Sequence, residues 1–125
     1  MKIPQQYLPV MPYLILNNAK AFIEFARAVF GANEQLIAPA DNDKIMHGEL
    51  KIHDAVIMFA DAGDSWKEKT AAMYMYVDDV NNVYNKALTH SCKSLQSPEK
   101  KDYGYTAGFE DPFGNHWFIV EPEKE

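Results

Sequence analysis

The chain has 125 residues, with 18 acidic and 12 basic side chains, so its formal net charge is -6 at pH 7. Apolar residues make up 47% of the chain and aromatic residues 13%, a composition that excludes a disordered segment and suits a single domain. The acidic balance disfavours nucleic acid as a partner, and the absence of a long apolar run or a basic cluster disfavours a membrane.

The first half of the chain shows the periodicities of a short strand, a helix and three more strands. Between Asn18 and Phe30 apolar side chains recur at helical spacing, and Gly31 follows as a stop signal. The run before this helix and the three runs after it favour strands, because they are rich in large apolar and β-branched residues. These predicted strands span Met11 to Leu16, Glu34 to Ala38, Lys44 to Ile52 and Ala55 to Ala60.

A polar, charged stretch over residues 61–70 is predicted to be a linker that carries one large aromatic side chain, Trp66. We expect the Trp66 indole to pack over the edge of a module, with stacking on a ligand as the less favoured alternative. Beyond the linker the same order of elements returns, with a helix between Asp79 and His90. The predicted strands of this second half span Ala72 to Val77, Ser94 to Gln96, Tyr105 to Glu110 and His116 to Glu121.

The two halves are similar enough to indicate an internal duplication. A shift of about 60 residues aligns Gly48 with Gly108 and Met58 with Phe118, so each half is predicted to be βαβββ. We expect one domain over residues 1–125. Within it, module one covers about 8–60, the linker about 61–70 and module two about 71–122.

Three segments of the chain resemble the vicinal oxygen chelate superfamily of glyoxalases, bleomycin resistance proteins and dioxygenases. They are the opening MPYLILNNAKAFIEFARAVFGA, the central MHGEL and the closing EDPFGNHWFIVEP, and the greatest similarity is to the PhnB-like branch. The resemblance implies an α+β fold of two tandem βαβββ modules, with curled mixed sheets, helices on the convex face and a ligand cup on the concave face. It also implies a homodimer. The fold alone implies no activity, because it hosts isomerases, dioxygenases, thiol transferases and non-catalytic drug binders.

In the metal enzymes of this superfamily the ligands come from the first and last strands of each module. The matching positions here hold Met11, Met58, Ala72 and Phe118. None of these side chains offers the carboxylate oxygen or imidazole nitrogen that hard and borderline divalent ions prefer. We therefore expect no metal at the usual site. No other cofactor is predicted, because glycine-rich nucleotide loops and a Cys-x-x-Cys motif are missing from the sequence.

Period-two alternation from those positions predicts which strand side chains face the cup. The set is aromatic with a few polar groups, which suits a planar or apolar ligand, although aromatics at alternating positions are also ordinary sheet residues. The predicted ligand-binding residues are Tyr13, His47, Glu49, Met58, Tyr74, Tyr76, Tyr105, Phe109, His116 and Phe118.

His47 and Glu49 carry the strongest chemical signal and are the candidate catalytic residues, because residues i and i+2 of a strand share a face. The pair offers a general base with its orienting group, or two metal ligands. In the structural alternative, Glu49 accepts hydrogen bonds from tyrosine hydroxyls. The sequence contains one arginine, Arg27, on the first predicted helix, so an anionic ligand in the cup is disfavoured.

Three functions remain open from the sequence. The first is a non-catalytic protein that binds a small planar or apolar molecule in an aromatic cup without the usual metal. The second is a metal-dependent lyase, isomerase or dioxygenase whose atypical ligands come from His47, Glu49 and His116. The third is an interaction module with a vestigial cup. A single cysteine, Cys92, and an N-terminus without a signal-peptide pattern predict a cytoplasmic protein.

Overall fold

In a computed structural model that describes residues 1–123, the backbone divides into one unit within Met1–Lys69 and a second that begins at Thr70. Each unit contains one helix and one four-stranded mixed sheet in the described residues, so the predicted α+β architecture of two tandem modules is confirmed. Neither of the two helices within residues 1–123 is long and apolar enough to cross a bilayer.

Unit 1 has a sheet whose two edge strands are the first two strands of the chain. Its elements are β1 (Tyr13–Leu16), α1 (Ala19–Phe30), β2 (Asn33–Pro39), β3 (Ile45–Ile52) and β4 (Ala55–Asp61). The strand order is β1-β4-β3-β2, with β1 parallel to β4 and the other neighbours antiparallel. The helix begins where the side chain of Asn18 accepts a hydrogen bond from the backbone N–H of Ala21, at 3.2 Å. It ends at Gly31, whose φ of 69° is in the left-handed region.

Unit 2 repeats this arrangement. Its elements are β5 (Ala72–Tyr76), α2 (Val80–Thr89), β6 (Lys93–Lys101), β7 (Gly104–Glu110) and β8 (His116–Glu121). The strand order is β5-β8-β7-β6, again with one parallel pair, β5 and β8. The side chain of Asp79 caps α2 by accepting a hydrogen bond from the backbone N–H of Asn82, at 3.0 Å.

In both units a carboxylate at the end of the last strand binds the first residue of the helix. Oδ1 of Asp61 accepts a hydrogen bond from the backbone N–H of Ala19 at 2.9 Å, and Oε2 of Glu121 accepts one from that of Val80 at 2.8 Å. A negative charge at a helix N-terminus is favourable, because the first backbone N–H groups have no partner within the helix. The shared contact is a structural trace of the duplication.

The core of unit 1 lies between α1 and the sheet. The Phe22 ring on α1 meets the Phe59 ring on β4 edge-on, with centroids 5.4 Å apart, and both side chains are fully buried. Gly48 on β3 leaves room for this contact, since a Cβ atom at that position would lie 2.4 Å from the Phe59 ring. In unit 2 the matching side of the sheet is filled by Phe109, Trp117 and Ile119.

Two strand boundaries differ from the sequence prediction by two residues or more. The strand predicted from Met11 begins at Tyr13, because Pro12 has no N–H to donate to the neighbouring strand. The carbonyl oxygen of Pro12 still accepts a hydrogen bond from the backbone N–H of Met58. The strand predicted to end at Gln96 continues to Lys101. Three of its last four residues are charged, which is common in an edge strand, and these residues lack the apolar alternation on which the prediction depended.

Candidate functional site

The face of the unit 1 sheet that lies opposite α1 carries the polar candidates. Tyr13 pairs with Met58, and Met58 pairs with Glu49, so these three side chains form one row across β1, β4 and β3. His47 and Ile15 continue the same face by alternation along their strands. We call this set, Tyr13, Ile15, His47, Glu49 and Met58, the open face of unit 1.

Glu49 is a buried carboxylate whose two oxygens are engaged by three side chains. The residue is 2% exposed. The Tyr7 hydroxyl lies 3.0 Å from both carboxylate oxygens, the Gln35 amide donates to Oε1 at 2.9 Å, and Nε2 of His47 lies 2.8 Å from Oε2. A buried carboxylate is stable only when it is paired and hydrogen-bonded, and Glu49 meets this requirement through Tyr7, Gln35 and His47.

His47 links the buried carboxylate to an exposed tyrosine. Its second ring nitrogen, Nδ1, lies 2.9 Å from the hydroxyl of Tyr13, and the two rings are 5.5 Å apart. Tyr13 is 44% exposed. A continuous hydrogen-bonded chain therefore runs from Tyr13 through His47 to Glu49, and we call these three residues the relay.

The charge state of the relay follows from its surroundings. Burial alone would raise the pKa of Glu49, but hydrogen bonds from Gln35, His47 and Tyr7 outweigh burial and hold that pKa below its ordinary value. The pKa of Tyr13 is raised by burial and by the charge of Glu49, and the pKa of Tyr7 is raised first by its hydrogen bond to Glu49. At neutral pH the carboxyl is therefore ionised and both hydroxyls keep their protons.

A pocket of about 560 Å³ lies in unit 1 beside Tyr13. Its walls include Tyr13, Ile15, Lys44, Met46, Ala60 and Trp66. Trp66 is 72% exposed, so the expectation that its indole packs over the edge of a module is wrong, and the alternative of a ring available to a ligand fits its position. Two accessible aromatic rings thus belong to one pocket.

The open face of unit 2 is aromatic, as predicted for Tyr74, Tyr76 and Phe118. Tyr74 pairs with Phe118, and the Tyr74 and Tyr76 rings meet edge-on with centroids 5.8 Å apart. All three side chains are exposed. His116 lies on the same face, where its Nε2 is 3.0 Å from Oε1 of Glu110.

Two members of the predicted ligand-binding set lie on the opposite face of unit 2, and their assignment to the cup is wrong. Phe109 is fully buried and pairs with Trp117. The hydroxyl of Tyr105 donates to the side chain of Asn81 on α2, at 2.9 Å. Tyr105 also borders a cavity of about 740 Å³ in unit 2, but the walls of that cavity are charged and contain none of the other predicted ligand-binding residues.

The side chains at the superfamily's metal-ligand positions do not fit a divalent ion. Met58 and Phe118 lie on open faces, and neither they nor Met11 and Ala72 supply an oxygen or imidazole donor. Within residues 1–123 no group of three or more His, Cys, Asp or Glu side chains is close enough to hold a metal. Of the alternative set, His47 and Glu49 bond to each other in unit 1, and His116 bonds to Glu110 in unit 2.

Cys92 is not a candidate nucleophile. The residue is buried, and burial together with the charge of Asp111 raises the pKa of its thiol to about 12. The thiolate, which is the reactive form, is therefore scarce at neutral pH.

Sequence reasoning missed two residues of the Glu49 network. Tyr7 belongs to the segment before β1, where no periodicity marks it. Gln35 lies at an irregularity in the pairing of β2 with β3, between Glu34 and Leu36, which turns its side chain toward Glu49. The sequence feature that marks Gln35 is an amide side chain in a predicted strand, and this feature is a weak indicator of a contact with Glu49.

Comparison with known proteins gives the same fold for more than nine-tenths of the chain. A family model described as the Glyoxalase/Bleomycin resistance protein/Dioxygenase superfamily matches residues 8–119. An uncharacterised protein of Mycobacterium bovis is 26% identical over 126 aligned residues, which cover 91% of this chain and 83% of that protein.

Two solved structures illustrate the range of proteins with this fold. The PhnB protein of Bacillus cereus has a TM-score of 0.75 and 13% identity, over 91% of this chain and 99% of its own. TnmS3 of Streptomyces sp. CB03234, described as an antibiotic binding protein, has a TM-score of 0.71 and 14% identity, over 94% of this chain and 100% of its own. At these identities the similarity establishes the fold alone.

Proposed function

This chain belongs to the glyoxalase/bleomycin resistance protein/dioxygenase superfamily, and from that premise we propose that it is a non-catalytic protein that binds a flat, largely apolar small molecule without a metal ion. The observation that carries the proposal is the pocket of unit 1, where Tyr13 and Trp66 both present accessible rings.

The size and lining of the pocket support a small-molecule ligand. Its volume of about 560 Å³ lies within the range of about 300–1,000 Å³ that small-molecule sites occupy. Ile15, Met46 and Ala60 add apolar walls to the same pocket. Removing an exposed aromatic ring from water is favourable by about 1.5–3 kcal/mol, so a flat ligand that covers Trp66 gains affinity from that contact.

The hydrogen bonds of the relay favour binding over catalysis. Both oxygens of Glu49 accept hydrogen bonds from protein side chains, and both ring nitrogens of His47 have partners. A general base must have a nitrogen or oxygen free to take a proton from the substrate. His47 and Glu49 therefore serve better to fix Tyr13 than to act on a ligand directly.

Two finer assignments are part of the same proposal. The segments that resemble PhnB-like proteins, together with the shared fold of the Bacillus cereus PhnB protein, support placing the chain in that branch. The antibiotic-binding description of TnmS3 supports a binding role for a chain with this fold. We also propose a homodimer, as the resemblance implies.

Replacing Trp66 by alanine is expected to weaken the binding of a flat aromatic probe, 2-naphthol, by about tenfold. The change removes one ring of the pocket and, because the side chain is exposed, leaves the core of unit 1 intact. Isothermal titration calorimetry at neutral pH measures the affinity.

The matched control for Trp66 is Tyr103→Ala, which removes an exposed ring that does not line this pocket. We expect this variant to bind 2-naphthol as the wild type does. Equal affinities for wild type and Trp66→Ala would contradict the assignment of the pocket. A protein that binds no flat compound at all would favour the interaction-module alternative.

A further inference from the structure

We infer that Tyr13 makes the unit 1 pocket selective for ligands that carry an N–H or O–H hydrogen-bond donor. The inference rests on the proposed function and deepens it, because it names a chemical class of ligand. It follows from the hydrogen-bonded chain behind Tyr13, which determines where the hydroxyl proton of this tyrosine points.

Glu49 sets the tautomer of His47. An ionised carboxylate only accepts hydrogen bonds, so Nε2 of His47, at 2.8 Å from Oε2, must carry a proton and donate it. In a neutral imidazole the other nitrogen then has no proton and can only accept. Nδ1 of His47 is that nitrogen, and its partner is the hydroxyl of Tyr13 at 2.9 Å.

In the neutral form of His47, the hydroxyl of Tyr13 is therefore the donor in its bond to Nδ1. A phenol has one proton, and here that proton points to Nδ1 of the imidazole. The lone pairs of the oxygen remain, and Tyr13 is 44% exposed on the wall of the pocket. Toward a ligand, Tyr13 consequently acts as an acceptor.

The other polar side chains of the pocket are either donors or charged. Lys44 and the Trp66 indole are donors. The carboxylate of Asp61 accepts hydrogen bonds from the backbone N–H groups of Ala19 and Ile45, one on each oxygen. Among the uncharged side chains that line the pocket, Tyr13 thus supplies the oxygen acceptor, and Tyr13→Phe separates its contribution from that of the Asp61 carboxylate.

The test compares the binding of two uncharged probes of similar shape. One is 2-naphthol, whose O–H group is a hydrogen-bond donor, and the other is 2-methoxynaphthalene, whose ether oxygen can only accept. We expect the wild type to bind 2-naphthol about five- to tenfold more tightly, the equivalent of one hydrogen bond. Tyr13→Phe keeps the ring and removes the oxygen, so it should lose this preference and bind 2-methoxynaphthalene as before. Tyr103→Phe is the control and should behave as the wild type does.

A second variant tests the positioning role of His47. In His47→Ala the hydroxyl of Tyr13 is free to rotate and can donate to the ether oxygen, so binding of 2-methoxynaphthalene should improve, a result that a merely structural role would not produce. Equal binding of the two probes by the wild type would overturn the inference and leave the proposed function standing. Binding of neither probe would overturn both.

Discussion

Replacing Asp111 by alanine is expected to lower the free energy of unfolding by about 3 kcal/mol or more, the largest effect of any change considered. Asp111 is 2% exposed and directly follows β7. Its Oδ1 accepts from the backbone N–H groups of Phe113 and Asn115, and its Oδ2 accepts from the Asn115 amide and the Trp117 indole, all at 2.8–2.9 Å. Buried donors left without their acceptor cost about 1–3 kcal/mol each.

Urea unfolding followed by circular dichroism measures the loss. The neighbouring carboxylate provides the control, because Glu110 is partly exposed and, within residues 1–123, its side chain bonds to His116 alone. Glu110→Ala should therefore cost about 1 kcal/mol or less. Asp111→Asn should fall between the two, since it keeps one acceptor oxygen. A loss for Asp111→Ala no larger than that for Glu110→Ala would show that this turn does not hold unit 2 together.

Replacing Glu49 by glutamine is expected to cost about 2 kcal/mol at neutral pH and to make stability less sensitive to acid. An amide presents one acceptor oxygen to three donors and adds a fourth donor of its own. The pKa of Glu49 in the fold lies below its ordinary value of 4.5, so on acidification the unfolded chain takes up this proton first. Glu49 therefore contributes stability above pH 4.5 that is lost as the pH falls through its folded-state pKa.

Urea unfolding at a series of pH values, from neutral to about pH 3, tests this linkage. The difference between wild type and Glu49→Gln should be largest near neutral pH and should narrow in acid. Glu34→Gln is the control, because Glu34 pairs with Arg27 at the surface and its loss should change little at any pH. A constant difference between wild type and Glu49→Gln across the series would contradict the assigned charge state.

The helices were predictable because each is specified by several local signals that agree. The apolar stripe of α1 includes Phe22 and Val29, both buried, and the helix begins and ends at Asn18 and Gly31, as expected. The extent of β6 was not predictable to the same degree. Three of its last four residues are charged and the fourth is Pro98, so the pairing with β7 is what identifies this part as a strand.

The face of β7 was predicted wrongly because of a loop length. Two residues, His53 and Asp54, connect the paired ends of β3 and β4, whereas five residues, 111–115, connect those of β7 and β8. Because the two loop lengths differ by an odd number of residues, the register of β7 changes by one residue and the two faces of the strand are exchanged. The structural counterpart of Glu49 is therefore Gly108, opposite Phe118, and Phe109 turns into the core.

The hydrogen-bond network around Glu49 was only half predictable for a different reason. Alternation places His47 and Glu49 on one face, and the structure confirms their contact. Tyr7 and Gln35 reach Glu49 from outside any periodic pattern, one from a segment before the first strand and one from an irregular position of β2. Contacts between distant segments depend on the folded chain and leave no local signal.

The most direct test of metal-free ligand binding in unit 1 is a nuclear magnetic resonance titration of the 15N-labelled, chelator-treated protein with 2-naphthol. The chain has two indole N–H signals, one from the exposed Trp66 and one from the buried Trp117, and Trp66→Phe identifies the first. We predict a saturable shift of the Trp66 signal with little change at Trp117. No shift at Trp66, or a shift that appears only after Zn2+, Mn2+ or Ni2+ is added, would contradict the proposed function.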